Sequence, residues 1–389
     1  MMWGCVFLLF ILLLGGRYLI SERETPETMP QSDEKSLTKA EQQPAESEPP
    51  ALILQLAENY FDIKKTGEQL PDFTELIGFD GTKAFYYVMK EDEPEQLIFE
   101  YYSYDVDSKE AILLYKTDDT VLGNGLFEGK LFVVELGADD LLIKLFPSPE
   151  EEKILFQSRV NYIPEADYEN GKIIISYEML EGTTVVGKIV AVNLPDGTVE
   201  TIEEKEYEII EDTLYRGVML TGIKATKDGV IYQQITYDKE KPYLDESGKA
   251  EIIYYRYEDA GKETVLQSPY KVSYVGGDIN HLILTKHSYA VPLSGTGKLY
   301  VKDDNGYTEC EIPGIASVND IKWSYVTSKV MIIQSYDDTY IIDLKTMNYE
   351  KVSDTKGAFC TDHRLLITES NGEILTVDLS SWWVEKSAE

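Results

Sequence analysis

Apolar positions fall into three regimes along this chain. Residues 3–15, WGCVFLLFILLLG, form an unbroken apolar run; residues 21–50 hold almost no bulky apolar side chain; from Phe73 onward, short apolar runs alternate with turn pairs. A spanning helix needs about 20 residues and a signal-peptide core about 7–15. The first run lies between these lengths and reaches Ile20 if Arg17 and Tyr18 sit at its edge. Its exit, GGRYLISE, has no small-x-small cleavage site, and Cys5 precedes the apolar core, so a lipid-modified cysteine after the core is excluded. The preferred reading is an uncleaved membrane anchor over residues 1–20, with a signal segment as the alternative. Arg17 and Arg23 both follow the core, which by the positive-inside rule argues for a cytoplasmic domain. The layout of apolar segment, polar linker and one large domain is that of an exported protein. The expectation is a single-pass protein of the cell membrane, inserted through residues 3–20, with its domain outside the cell.

Residues 21–50 are rich in Glu, Ser, Pro, Gln and Thr. Such a segment cannot bury enough surface to offset its ordering entropy, so it predicts a disordered acidic linker. Residues 51–72 open on ALILQLAENYFDIKK. There Leu52, Leu56, Tyr60 and Ile63 recur at near-helical spacing, while Leu52–Leu56 also suits a strand. A packing helix and a strand that closes the domain are both open.

Residues 73–389 read as short strands rich in Val, Ile, Tyr and Phe, punctuated by turn pairs such as Glu128-Gly129, Asn170-Gly171, Asp228-Gly229 and Asn371-Gly372. One unit recurs loosely: a turn, an apolar strand, a gap, a second strand ending in an acidic turn, and a third strand. Its copies span 80–115, 128–157, 170–203, 228–267, 279–312, 327–352 and 362–386. Their first apolar residues are Ala84, Leu131, Ile173, Val230, Leu282, Val330 and Leu365, spaced by 47, 42, 57, 52, 48 and 35. A further short strand precedes each unit, as at 74–78, 320–324 and 357–361. Four strands per 40–50 residues is the period of a propeller blade. The predicted fold is therefore all-β, a β-propeller of seven four-stranded blades; two consecutive β-sandwiches are the rival. The turns YDVDSK, IIDLKTM and TVDLSSW resemble those in the blades of TolB-like and related bacterial extracytoplasmic propellers. The resemblance covers residues 73–389, is one of architecture, and implies no functional residue.

Charge narrows the partners. The net charge is −34, of which −5 lies in residues 21–50 and −30 in residues 51–389. Such a field opposes nucleic acid and anionic lipid and favours cationic partners. Three cysteines exclude a disulfide-rich scaffold; Cys310 and Cys360 are either one bridge or two isolated thiols. No Cys/His cluster of zinc spacing occurs, and no metal or cofactor is expected. Asp105-Val106-Asp107 and Asp303-Asp304-Asn305-Gly306 lack the ligand spacing of a calcium loop. His281, His287 and His363 sit at or near turns, and Ser294 in LSGTG is not a nucleophile elbow.

No catalytic constellation emerges. The expectation is a membrane-tethered extracytoplasmic binding or scaffold module, without catalysis, for a protein or envelope component. The alternative is a hydrolase of carbohydrate or peptide with carboxylates at the propeller axis. The 28 tyrosines cluster at Tyr101, Tyr102, Tyr104 and at Tyr254, Tyr255, Tyr257; with Trp323, Trp382 and Trp383 they read as packing between blades. An insertion at 205–222 lengthens the spacing between the third and fourth units, and one at 239–249 lengthens the fourth unit itself. Long loops on a rigid scaffold commonly carry binding. Tyr215, Arg216 and Tyr243 on these insertions are the candidate partner contacts.

Overall fold

The computed structural model describes residues 53–382, apart from 71–74, 80–81, 93–95, 106–107, 139, 212–213, 238–248, 269–271, 287–297, 304–305, 314, 316–320, 328 and 362–363. The membrane segment and linker calls lie outside the described residues. No helix among the described residues is long and apolar enough to cross a membrane.

Every regular element described is a strand, and consecutive strands pair as antiparallel neighbours in small sheets. β1 (Gln55–Leu56) and β2 (Ile63–Gln69) belong to sheets completed from the far end of the chain. The next sheet runs in order through β3 (Glu75–Phe79), β4 (Lys83–Asp92), β5 (Gln96–Asp105) and β6 (Ala111–Thr117). It is followed by β7 (Thr120–Phe127), β8 (Lys130–Leu136), β9 (Asp140–Ser148) and β10 (Glu151–Arg159). An eight-stranded sheet comes next. Its first half is β11 (Glu165–Glu169), β12 (Lys172–Glu181), β13 (Thr184–Asn193) and β14 (Val199–Glu211). Its second half is β15 (Leu214–Thr226), β16 (Gly229–Tyr237), β17 (Lys249–Arg256) and β18 (Lys262–Ser268). Then come β19 (Val272–Gly277), β20 (His281–Lys286), β21 (Lys298–Asp303) and β22 (Gly306–Glu311). The chain ends with β23 (Ile321–Val326), β24 (Val330–Ser335), β25 (Asp338–Asp343) and β26 (Asn348–Ser353), then β27 (Thr355–Thr361), β28 (Arg364–Glu369) and β29 (Glu373–Asp378).

The first strands of successive sheets adjoin one another: β3 lies beside β7, β7 beside β11, β11 beside β15, β15 beside β19, and β19 beside β23. β27 packs against β25 and returns to β3. This is a propeller-like arrangement, and it explains the near-continuous apolar runs of the second strands. In β12, Ile173 and Ile175 enter the core against β8 and β9, while Ile174 enters the core against β15–β17. Both faces are covered, so the usual apolar–polar alternation is lost.

Two features depart from uniform four-stranded sheets. Residues 205–222, expected as a loop insertion, lengthen β14 and β15 into a hairpin whose pairing (Tyr207 with Gly217, Ile209 with Tyr215) fuses two four-stranded halves into one sheet. YEIIE and LYRGVML are rich in strand formers, so extending the ladder satisfies the backbone better than an open loop. The second departure is β1, which adds in parallel to the outer edge β26. Within 51–72, the described residues 53–70 contribute strands and no helix. β2 pairs with β29 through Ile63–Val377 and Lys65–Leu375, joining the two ends of the domain. Leu54 is buried in the core beside β26, and Phe61 is buried with its ring 5.0 Å from Trp382. Cys310 and Cys360 form no disulfide with each other.

Candidate functional site

The up-and-down topology sorts connections onto two ends of the sheets. One end carries the turns between first and second strands and between third and fourth strands. The other carries the remaining connections, including the β14–β15 hairpin tip. The strands flanking 238–248 and 287–297 also meet those connections at this second end.

A band of residues crosses five strands at the second end: Leu180, Val185, Tyr207, Gly217 and Tyr237 are paired in one row. Gly217 is the empty place in the row. Its φ is +126°, and a Cβ there would meet the Glu206 carbonyl oxygen at 2.4 Å and the Tyr207 Cα at 2.7 Å. Tyr215, two residues earlier on the same face, lies with its ring centroid 5.8 Å from Tyr207 at 60° and 5.8 Å from Tyr237 at 42°. The absent side chain of Gly217 leaves the room over which these three rings gather. Edge-on and tilted packing of this kind adds about 0.5–1.5 kcal/mol per pair beyond area burial.

Glu178 closes the cluster. Two rows along, on the same face, it stands opposite Gly187, which pairs in turn with Lys205. With no side chain at Gly187, the Glu178 carboxylate spans the strand and accepts a 3.1 Å hydrogen bond from the Tyr207 hydroxyl. Burial pushes the Glu178 carboxyl above its ordinary pKa, against the opposing effect of that hydrogen bond. Burial, then the Glu178 charge, pushes the Tyr207 phenol up as well; Tyr162 lies close enough to add to this. Asn161 fastens the segment carrying Tyr162 to β12. Its N–H donates to the Glu178 carbonyl at 3.0 Å, and its side-chain oxygen accepts from the Leu180 N–H at 2.7 Å. Tyr162, Ile163 and Leu180 remain 38%, 51% and 42% exposed. The result is an open apolar and aromatic patch around one partly buried carboxylate.

Of the residues singled out from sequence, Tyr215 belongs to this patch. Arg216, next in the strand, takes the opposite face, where it is ion-paired to Glu208 across the hairpin. Both partners are exposed, so the pair adds little stability. Tyr243 lies outside the described residues. Tyr207, Glu178 and Tyr162 escaped the sequence reading. The only signal for Tyr207 was the hairpin register, which sets it opposite Gly217.

The other candidates are placed as follows. His281 opens β20; its backbone N–H and ring Nδ1 lie 2.8 and 3.0 Å from one Asp278 carboxylate oxygen, which fastens the turn. Asp105 closes its turn by accepting the Ser108 N–H at 2.9 Å. His287, His363, Ser294, Asp107, Asp304 and Trp383 lie outside the described residues.

Several carboxylates of the first strands are held by neighbouring strands. Glu165 accepts the Thr221 hydroxyl at 2.9 Å and the N–H groups of Gly222 and Ile223 at 2.7 and 3.2 Å. Asp167 accepts the Ala225 N–H at 2.7 Å and binds the Lys224 ammonium at 3.0 Å. These contacts join β11 to a bulge in β15 and satisfy backbone donors that no ladder reaches. Glu75 differs. It accepts the Tyr87 hydroxyl at 2.8 Å, and burial pushes its carboxyl above the ordinary range.

No family model matches the chain. No curated protein matches it. Solved structures resemble it at low identity. A chain of the Saccharomyces cerevisiae structure of Dbp5 bound to Nup159, Gle1, IP6 and ADP is 10% identical, with a TM-score of 0.47 over 84% of this chain and 97% of that chain. The oligogalacturonate lyase of Vibrio parahaemolyticus is 10% identical, with a TM-score of 0.45 over 85% of this chain and 97% of that one. BamB of Moraxella catarrhalis is 8% identical, with a TM-score of 0.40 over 81% and 99%.

Proposed function

We propose that this chain is a membrane-tethered extracytoplasmic β-propeller of seven four-stranded blades that binds a protein or envelope component and carries out no turnover of its own. Support for seven blades comes from treating β11–β14 and β15–β18 as separate units. Among the described residues, seven apolar clusters then lie between consecutive units, the last closed by β2 against β29. Support for the tether is the apolar run at 3–15 and the polar linker that follows it.

The observation that carries the binding reading is the exposed patch of Tyr162, Ile163 and Leu180. It lies at the end of the sheets where the longest connections emerge. Exposed apolar surface rimmed by polar groups marks interaction sites, and tyrosine supplies contact area at low entropic cost. Meanwhile Glu165 and Asp167 are engaged in holding strands together. Glu75 is the observation that favours the hydrolase alternative, since a buried carboxyl with raised pKa suits a general acid. The full-length chain, assayed against glycosidase, peptidase and esterase substrates, is expected to show no turnover. Turnover abolished in Glu75→Gln would overturn the binding reading. Protease added to intact cells is expected to release the domain; protection until lysis would place it in the cytoplasm.

A further inference from the structure

At the other end of the sheets from the exposed patch, β12, β13 and β14 enclose a cavity beside the turn that joins β13 to β14. Its volume is about 200 Å³, and Lys172, Ala191, Asn193, Thr198, Val199 and Glu200 line it. Strand register explains this lining. Lys172 stands opposite Asn193, and Glu200 stands opposite Ala191 two rows along, so these four side chains share one face of the sheet. Ala191, buried at 3% exposure, is the floor, and its methyl group leaves space that a larger side chain would fill. Thr198, Val199 and Glu200 are exposed, so the cavity opens to solvent.

Two tyrosines from β17 and the turn after it fix the charged walls separately. The Tyr255 hydroxyl donates to Glu200 Oε1 at 2.6 Å. Burial, then that hydrogen bond, pushes the Tyr255 phenol up to about 12, which keeps the proton on it. Lys172 Nζ lies 4.0 Å from the centroid of the Tyr257 ring. Held in this way, Lys172 Nζ and Glu200 Oε2 stand 3.8 Å apart, beyond hydrogen-bonding distance. Lys144 with Glu135, Lys262 with Glu203 and Lys188 with Glu204 close to 2.9, 2.7 and 2.9 Å. A charged pair held apart at the wall of a cavity has room for a bridging group.

We propose that this cavity binds one neutral sugar ring of a glycan, a hydroxyl of which bridges the pair by accepting from Lys172 and donating to Glu200. A group between an ammonium and a carboxylate must accept and donate at once, and a hydroxyl does both. An anion would meet Glu200 and the charge of −30 over residues 51–389; a cation would meet Lys172. Asn193 and Thr198 offer neutral polar groups to a neighbouring hydroxyl, and Ala191 and Val199 offer apolar contact to ring C–H groups. Sites for drug-sized ligands measure about 300–1,000 Å³, so this smaller one takes a single ring and leaves the rest of the glycan outside. The site goes beyond the binding-module reading and shares no residue with the patch that carries it.

The test is saturation-transfer NMR on the full-length chain in lipid nanodiscs, with the methyl glycosides of glucose, galactose, mannose and N-acetylglucosamine as probes. At least one is expected to bind with a millimolar Kd, and its fully O-methylated counterpart is expected not to bind. Glu200→Gln keeps an acceptor for Tyr255 and removes the charge; Lys172→Met keeps a stem over Tyr257 and removes the ammonium. Each is expected to weaken binding about tenfold. Ala191→Val fills the floor with both charges in place and is expected to abolish it. Ile163→Ser should leave it unchanged. Silence of all four glycosides at about 50 mM would overturn the inference. So would equal binding of the O-methylated counterparts, indifference to both Glu200→Gln and Lys172→Met, or loss of binding in Ile163→Ser. Tighter binding of glycine than of any glycoside would overturn it too, by assigning the pair to a zwitterion. None of these outcomes decides the binding-module reading, which substrate turnover by the full-length chain would overturn.

Discussion

Replacing Gly217 by alanine tests whether the tyrosine cluster is built around a missing side chain. The added Cβ meets the Glu206 carbonyl oxygen at 2.4 Å and the Tyr207 Cα at 2.7 Å. Both are backbone atoms, so no rotamer change relieves the clash and the strands must part. A non-glycine residue forced into so sparsely populated a φ costs about 1–3 kcal/mol. Overpacking against fixed atoms costs about 1–3 kcal/mol more. The expected loss is therefore about 2–6 kcal/mol, concentrated on the β14–β15 hairpin. For a cooperative body the size of Pro50–Glu389, this lowers Tm by about 3–8 °C. Gly129→Ala is the matched control. Gly129 has φ +72°, but a Cβ there meets nothing within 4 Å. Its cost is the backbone term alone, about 1–2 kcal/mol. Thermal melts of the two variants, with hydrogen exchange across residues 205–219 and 229–237, separate the two contributions. A Gly217→Ala protein that melts no lower than Gly129→Ala and keeps the exchange protection of the hairpin would refute the reasoning.

Other substitutions probe the remaining elements. Lys144→Met leaves the fully buried Glu135 without its cation and should cost about 3–5 kcal/mol in urea unfolding, while Glu135→Leu combined with Lys144→Met should recover most of it. Phe61→Ala, which empties a buried site beside Trp382, should cost about 3–5 kcal/mol and loosen β2 from β29, as hydrogen exchange would report. Hydrogen bonds from Lys90 and Tyr102, then Lys116, hold the Glu100 carboxyl at about 2 against an ordinary 4.5. A depressed carboxylate stabilises the fold above its unfolded pKa, and that stability is lost as pH falls through the folded one. With both lysines half exposed the contribution is about 1–2 kcal/mol. The stability difference between wild type and Glu100→Gln should therefore be full at pH 6, shrink below pH 4.5 and vanish near pH 2.

Strand existence and turn chemistry were legible in the sequence because both are local. Glu128-Gly129 and Asn170-Gly171 turn with both residues at positive φ, 49° and 72°, then 49° and 76°, as two-residue hairpins require. The short strands expected at 74–78, 320–324 and 357–361 appear as β3, β23 and β27 within one or two residues. The patch was not legible, because it depends on register across several strands. Tyr207 and Tyr237 flank Gly217 in the ladder and both reach Tyr215, and Glu178 reaches Tyr207 only across Gly187. Neither glycine carries a turn signal. Strand alternation parts Tyr215 and Arg216 to opposite faces only because 205–222 extends two strands; a loop there would impose no alternation.

The distribution of positive charge bears on what such a surface can recognise. The chain has 36 Lys and Arg against 70 Asp and Glu. Many of those cations are turned inward on the molecule's own acids: Lys144 on Glu135, Lys224 on Asp167, Lys262 on Glu203, Lys351 on Asp338 and Lys188 on Glu204. A cation held 3 Å from a carboxylate largely cancels it beyond a Debye length of about 8 Å, so the uncompensated acids dominate the field that an approaching molecule meets. That field discriminates by sign and not by shape. Shape must come from a place where apolar groups stand open, as Ile163 and Leu180 do. On the proposed binding function, long-range attraction sets the encounter rate and contact with Ile163 and Leu180 sets the dissociation rate. Added salt should accordingly slow association strongly. Ile163→Ser should speed dissociation and leave association nearly unchanged, a separation that surface plasmon resonance resolves directly.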